Sequence, residues 1–434
     1  MTYPYSGKVA DFKALSKCLS LQSGYKYAGR ISFDCSAPRT LGERMGIERR
    51  KHAKRSGPEE SQLQAACAEA LRSVFVEKQT LDRAVTAVLR SRRAWDPATR
   101  GAFVAAIHAL VRSWRNVWTS AGFPDEIFLS PLACTKPRLE KICALFAGKR
   151  IPRRGANMPD WLNAVGRREI GDAWLAVRAA LEEPAELFLR VNTLRAQPSA
   201  VLESLRNTPH ACEPAGLTGA LRVTGRRDIY DTKAFKDGWV EVQDVNSQQI
   251  APFLDVKPGM RVTDACAGAG GKSLHLAALM HNKGRIVSLD VAGWKLEELR
   301  RRAARAGADT IETHIVSDAK STKRFRGTAD RLLLDVPCSG LGVVRRNPDI
   351  KWKLSMEELE RLRALQFQLL RDYSQFVKKG GKLVYATCSV LPSEGEQQVD
   401  AFLAGNPEWK LEAERRLHPG ENGGDGFYMA RLAT

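Results

Sequence analysis

The chain has no cysteine framework. Its nine cysteines (Cys18, Cys35, Cys67, Cys134, Cys143, Cys212, Cys266, Cys338 and Cys388) are odd in number, scattered and never spaced as CxxC. That spacing argues against both a disulfide-stapled secreted scaffold and a zinc site, so a reducing, cytoplasmic compartment and no metal are expected. Long apolar runs are missing too. The longest stretches free of Asp, Glu, Lys and Arg, such as 101–111 and 383–393, fall short of the ~20 residues a membrane-spanning helix needs. No internal repeat is evident, and no apolar segment near the N-terminus reads as a signal peptide. Acidic residues are scarce relative to basic ones: 49 against 68 over 434 residues, a formal net charge of +19. That excess points to a polyanion partner without separating nucleic acid from an acidic membrane surface or protein. With 44% hydrophobic and 27% charged residues, the composition is that of a folded protein, and the length predicts two or three domains.

Residues 1–57 hold twelve Lys/Arg and four Asp/Glu, with a cluster at Arg49, Arg50, Lys51, Lys54 and Arg55. They read as a basic, flexible arm; a solvated leader, a transit peptide or a true start at Met45 are the alternatives. From Ser61, apolar residues recur at helical spacing: Leu63, Cys67, Leu71 and Val74, then Leu81, Val85, Val88 and Leu89. Asp96-Pro97 and Pro159-Asp160 read as helix starts. Residues 58–182 are therefore expected to form an all-helical domain, in which the basic stretch 136–154 is a connecting loop or an RNA-facing patch. Strand-like runs follow at 187–191, 221–224 and 239–242, predicting a small α+β subdomain over 183–255. Over 256–434, strands (261–264, 285–290, 311–316, 331–335, 382–387) alternate with helices (271–280, 293–306, 356–378). That rhythm predicts an α/β fold, a Rossmann-like doubly wound sheet.

The segment RVTDACAGAGGKS (261–273) is a strand, a glycine turn and a helix start. Gly268, Gly270 and Gly271 permit close backbone approach to a ligand. It is not a phosphate-binding P-loop, because Cys266 stands where that motif requires glycine, and it is a poor GxGxxG. Asp290 closes the next strand, where a carboxylate can accept from both ribose hydroxyls; Asp318 follows the third strand, within reach of an adenine edge. Asp264, Asp290 and Asp318 together would repel a phosphate, so an adenosine ligand without phosphates fits: S-adenosylmethionine.

Two further strands end in cysteine, DVPCSG (335–340) and ATCS (386–389). Ligands bind beyond the carboxyl ends of strands in open α/β sheets, so both thiols should face the cofactor. Two thiols beside Asp335 suit methylation of a pyrimidine at carbon 5. That carbon is too weakly nucleophilic until a thiolate adds at carbon 6, and a base must afterwards remove the carbon 5 proton. Asp335, protonated or sharing a proton, could hydrogen-bond ring nitrogen 3 of cytosine.

These residues resemble the RNA cytosine-5 methyltransferases of the RsmB (Sun, Fmu) branch, over roughly 60–434. The match includes FLRVNT (188–193), DGWVEVQD (237–244), the cofactor loop, DVPCSG, VRRNPDIKW (344–352), ATCSVLP (386–392) and GDGFY (424–428). The resemblance implies that Cys388 is the nucleophile and that Cys338 assists product release. It assigns Cys266, Ala267, Gly268, Ala269, Gly270, Gly271, Lys272, Asp290, Asp318 and Asp335 to the cofactor, and makes the helical domain similar to a NusB-type RNA-binding module. Two departures stand out: Gly268-Ala269 in place of the usual Ala-Pro, and Ser393-Glu394-Gly395 in place of Glu-Glu-Asn.

Arg345, Arg346, Lys351 and Trp352 follow the Cys338 loop and combine phosphate-binding charge with an aromatic face, making them candidate RNA contacts for an extruded cytosine; a solvated rim is the alternative. Arg190 and Asn192 are further candidates. The expectation is a monomeric methyltransferase of small-subunit ribosomal RNA, with no membrane or metal partner. Transfer RNA as substrate, a non-catalytic RNA-binding assembly factor and a nicotinamide-dependent oxidoreductase are the competing readings, the last disfavoured by the loop spacing.

Overall fold

A computed structural model describes residues 60–152, 155–225 and 228–434. The arm expected over 1–57 lies outside them. Two compact units divide the described chain. One takes the described residues up to Asn157 together with 228–230, and the other takes Met158–Gly225 and Asp231–Thr434.

The first unit is helical: Glu60–Phe75, Leu81–Ser91, Pro97–Arg112, Trp114–Ser120 and Lys136–Phe146. The apolar residues that set the helical period (Leu63, Cys67, Leu71, Val74, Leu81, Val85, Val88, Leu89) are all buried. Asp96 caps its helix, accepting from the N–H groups of Ala98 at 2.8 Å and Thr99 at 3.0 Å, with Pro97 in the first turn. Trp114 stacks on Phe75 with centroids 4.0 Å apart and donates its indole N–H to the Phe128 carbonyl at 2.7 Å. Lys136–Phe146, expected as part of a connecting loop or patch, is helical because Leu139, Ile142 and Cys143 form a buried face. Arg138 from this helix lies over the rings of Trp118 and Phe123.

The boundary expected at 182/183 falls instead after Asn157. Helices Asp160–Ile170 and Trp174–Glu182 bury Met158, Leu162, Val165, Trp174, Val177 and Leu181 against Leu341, Val344, Leu359, Val390 and Leu391. They therefore pack beneath the segments that follow Cys338 and Cys388.

Two sheets complete the second unit. The smaller holds β1 (Phe188–Val191), β2 (Cys212–Pro214), β3 (Ala220–Val223) and β4 (Val240–Val242), in the antiparallel order β2-β3-β1-β4. The larger holds β5 (Arg261–Asp264), β6 (Arg285–Asp290), β7 (Ile311–Ile315), β8 (Ala329–Asp335), β9 (Val377–Thr387), β10 (Lys410–Leu417) and β11 (Phe427–Ala433). Its order is β10-β11-β9-β8-β5-β6-β7, parallel from β9 to β7 and antiparallel at the β11 and β10 edge. The chain winds from β5 through β6 to β7, then crosses to β8 on the other side of β5. The switch point of this doubly wound sheet thus lies between β5 and β8, where a ligand crevice opens at the carboxyl ends. Both faces are filled, one around Leu332, Leu334, Tyr385 and Leu370, the other around Val262, Leu276, Leu333 and Met429.

Among the described residues, no helix is long and apolar enough to cross a membrane and no group of three or more His, Cys, Asp or Glu is placed to hold a metal ion.

Candidate active site

β5 delivers Asp264 to the switch point, and the glycine turn follows. Gly268 (φ +56°) and Gly270 (φ +84°) are both left-handed, the region glycine enters without steric cost. At Gly270 a Cβ would also sit 2.0 Å from Leu299 Cδ1, so no side chain fits. The turn is tied to β6 through Asp290, which accepts from Gly268 N–H at 2.9 Å on Oδ2 and from Ala292 N–H at 2.8 Å on Oδ1. Its opposite side is held by Arg302, whose Nη1 donates to the Ala269 carbonyl at 2.7 Å while the same guanidinium pairs with the buried Glu241. Asp318 is exposed and caps the short helix Ala319–Thr322, accepting from Ser321 N–H at 2.8 Å.

Asp264 is buried. Ser273 Oγ donates to its Oδ2 at 2.7 Å, and Ser288 Oγ donates in turn to Ser273 Oγ at 2.9 Å. Its other oxygen, Oδ1, is buried without a hydrogen-bond partner. Burial pushes the Asp264 carboxyl up to about 7, Ser273 opposing the rise and Asp335 adding to it. The half-buried Cys266 thiol is pushed well above its usual range, first by desolvation and then by Asp290, Asp264 and Asp335.

Lys272 reaches across the switch point to β8, donating to Asp335 Oδ2 at 2.6 Å. Burial works against its ammonium, but Asp335 outweighs that and holds the lysine above its ordinary value. Beyond Asp335, Cys338 Sγ lies 3.3 Å from Cys388 Sγ, so the two expected thiols meet. Cys338 is pushed well above the usual thiol range, first by its hydrogen bond with Cys388, then by burial and by Glu394. It keeps its proton at neutral pH.

Sequence reasoning gave Glu394 no role, yet it lies at the centre of this arrangement. Its fully buried carboxylate accepts from Ser339 N–H at 2.8 Å, Gln366 Nε2 at 2.9 Å, Ser389 Oγ at 2.6 Å and Ser339 Oγ. The available signal was the repeated Cys-Ser-Xaa-Leu at 338–341 and 388–391.

The residues expected to contact RNA are placed differently. Arg345 is buried and donates to the carbonyls of Gly424 at 2.7 Å, Gly423 at 2.8 Å and Pro184 at 3.0 Å. Arg346 pairs with Asp244 at 2.8 Å and Asp425 at 2.5 Å. Lys351 and Trp352 are buried, with the Lys351 ammonium 4.5 Å from the Trp352 ring centroid. Arg190 is buried and donates to Gln243 Oε1 at 2.7 Å, while Asn192 bridges the carbonyls of Gly238 at 2.9 Å and Ala306 at 2.8 Å. Five of these six thus lie inside the protein and Arg346 is engaged by two carboxylates. The irregular segments around them leave carbonyls and carboxylates that need donors, and these cations and amides supply them.

A family model described as 16S rRNA methyltransferase RsmB/F matches residues 251–433, and one described as Methyltr_RsmF/B-like, ferredoxin-like domain matches residues 158–230. The second match begins where the second compact unit begins. The chain is 35% identical over 260 residues to a probable ribosomal RNA small subunit methyltransferase B of Synechocystis sp., covering 59% of this chain and 58% of that protein. It is 34% identical over 288 residues to the ribosomal RNA small subunit methyltransferase B of Vibrio cholerae, covering 63% and 65%. These alignments span less than two thirds of the relatives' own length. A solved methyltransferase homolog protein from Pyrococcus horikoshii superposes with a TM-score of 0.57 at 26% identity, covering 64% of this chain and 95% of that one.

Proposed function

We propose that the chain, which resembles the RsmB/F methyltransferases over residues 158–230 and 251–433, is an S-adenosylmethionine-dependent RNA cytosine-5 methyltransferase acting on small-subunit ribosomal RNA in the cytoplasm. The observation that carries the reading is the 3.3 Å approach of Cys338 and Cys388 beside the Lys272–Asp335 pair. A buried fold-only cysteine needs no such partner, whereas covalent activation of a pyrimidine needs one sulfur to attack and a second group to manage its departure.

The residues around the glycine turn fit the cofactor. Asp264 Oδ1 is a buried acceptor without a donor, and Asp264, Asp290 and Asp335 gather acidic groups that favour a cationic, phosphate-free nucleoside over a nucleotide. When bound, S-adenosylmethionine supplies an electrophilic methyl group. Cys388 adds through its thiolate to cytosine carbon 6, which turns carbon 5 into an enamine-like nucleophile. Asp335, when it shares a proton with the neighbouring Lys272, can hydrogen-bond ring nitrogen 3 through that proton and so stabilise the negative charge that thiolate addition develops on the ring. Once carbon 5 carries the methyl group, a solvent water acting as base takes the carbon 5 proton, and that electron pair restores the 5,6 double bond as the bond from carbon 6 to sulfur breaks. Cys338, which has kept its own proton, can donate it to the departing Cys388 sulfur.

Replacing Cys388 by Ala should abolish transfer of labelled methyl to small-subunit RNA, and full activity in that variant overturns the reading. Cys338→Ala should instead accumulate a covalent protein–RNA adduct as a shifted gel band. Should the adduct form in the Cys388 variant, the roles of the two thiols are exchanged. Bisulfite sequencing of ribosomal and transfer RNA from a deletion strain identifies the substrate.

A further inference from the structure

Each candidate catalytic cysteine heads the same four-residue sequence, Cys-Ser-Xaa-Leu, and the two copies are bonded alike. Leu341 N–H donates to Ser339 Oγ at 3.3 Å, and Leu391 N–H donates to Ser389 Oγ at 3.1 Å. Both serine hydroxyls then donate to one atom, Glu394 Oε2. The other carboxylate oxygen, Oε1, accepts from Ser339 N–H and from Gln366 Nε2, whose amide also donates to the Pro337 carbonyl at 2.9 Å. The carbonyl of Glu394 accepts from the buried Tyr385 hydroxyl at 3.0 Å, which seats the residue on β9. The two turns come from strands β8 and β9 and are about fifty residues apart in the chain.

We propose that Glu394 is a positioning residue that sets the separation of Cys338 and Cys388. One carboxylate accepts from the serine following each thiol, so movement of either turn relative to the other breaks a hydrogen bond to a buried carboxylate. The choice of a carboxylate follows from the inventory of partners. Four donors converge on it, and an acid anion is the side chain that offers acceptors alone. Glutamine at this position would turn an amide donor toward one pair of donors. The consequence for turnover rests on the function proposed above, whereas the consequence for thiol geometry does not.

The test measures the thiol pair directly. Diamide takes two electrons and two protons from neighbouring thiols to form a disulfide, read by intact mass and by peptide mapping of the 338–388 link. In Glu394→Gln, link formation should slow by about a hundredfold, the scale expected when reacting groups lose their alignment by about an ångström. Affinity for S-adenosylhomocysteine, measured by calorimetry, should stay at the wild-type value, because Glu394 makes no hydrogen bond to the glycine turn. On RNA, kcat should fall with the linking rate while KM stays constant. A glutamate that only stabilised the fold would lower the melting temperature and leave the linking rate of the folded protein unchanged, which overturns the proposal. Should Glu394→Gln not fold, Ser389→Ala carries the test, since it removes one donor and leaves the carboxylate its other three; linking at the wild-type rate there is equally fatal. Slowed linking in a protein whose wild type methylates no RNA would keep the clamp and discard the proposed reaction.

Discussion

The two flanks of the switch point are held by different means. On the β5–β6 flank the main chain does the holding: left-handed glycines shape the turn, and the N–H groups of Gly268 and Ala292 bind Asp290. That flank keeps an unpartnered acceptor, Asp264 Oδ1. On the β8–β9 flank side chains do it: Glu394 joins the two cysteine turns, while Arg345 and Arg346 bind the 423–425 segment from behind. Under the proposed reaction, the flank that exchanges a ligand can leave an acceptor waiting, whereas the flank that would perform covalent chemistry has to be aligned in advance. Lys272 is the crossing between them, rooted in the glycine turn and bonded to Asp335 on β8.

Three substitutions probe this contrast. The largest effect belongs to Arg345→Ala. It strips the carbonyls of Pro184, Gly423 and Gly424 of one shared donor, and stability should drop by about 3 kcal/mol or more, since each buried acceptor left unmade carries a desolvation cost. Chemical denaturation measures that loss. The salt dependence of RNA binding should keep its slope, because a buried guanidinium releases no counterions from a phosphate. A slope lowered by about one would return Arg345 to the RNA-binding set and weaken the idea of a pre-fixed thiol flank. Next comes Lys272→Met, which removes the crossing. Turnover should fall by about thirtyfold, corresponding to about 2 kcal/mol of lost electrostatic support at Asp335. Wild-type turnover in that variant would mean that the flanks act independently.

The same contrast explains what the sequence revealed. Strong periodicity made the helices and the βαβ order readable, and strand-end positions carried Asp290, Asp335, Cys338 and Cys388 to the switch point. Edges were less legible. β9 begins at Val377, where a longer helix was expected, and β11, which pairs with it, starts at Phe427, within the GDGFY segment that read only as a motif. The basic residues were harder to place, because charge in a sequence does not say whether it faces water or a carbonyl. Arg345 reads as part of a phosphate-binding rim, and in the fold it is buried against the carbonyls of Gly423, Gly424 and Pro184, while Lys351 is buried beside Trp352. Glu394 escaped notice for the opposite reason: its significance lies in meeting two distant serines, and only the recurrence of Cys-Ser-Xaa-Leu hinted at that.

The smallest effect, and the one that separates the flanks by pH, belongs to Asp264→Asn. In the folded protein burial lifts the Asp264 carboxyl to about 7 from an ordinary value of 3.8. A raised carboxyl binds its proton more tightly folded than unfolded. Its contribution is therefore fully present below the unfolded value and is lost as pH rises toward 7, at no more than about 1.4 kcal/mol per pH unit for one proton. On the thiol flank, burial lifts Asp425 to about 6 against the pull of Arg346, so its share of the decline is largely complete one unit earlier. Between pH 6 and 7 the stability of wild type relative to Asp264→Asn should therefore keep falling, measured by urea denaturation without ligand. A difference that is flat over that interval would place Asp264 in the ionised form, already paired like its counterparts on the thiol flank. A cationic ligand that meets Asp264 should favour the ionised carboxylate and move the decline to lower pH, which ties the acceptor left waiting on this flank to the ligand it exchanges.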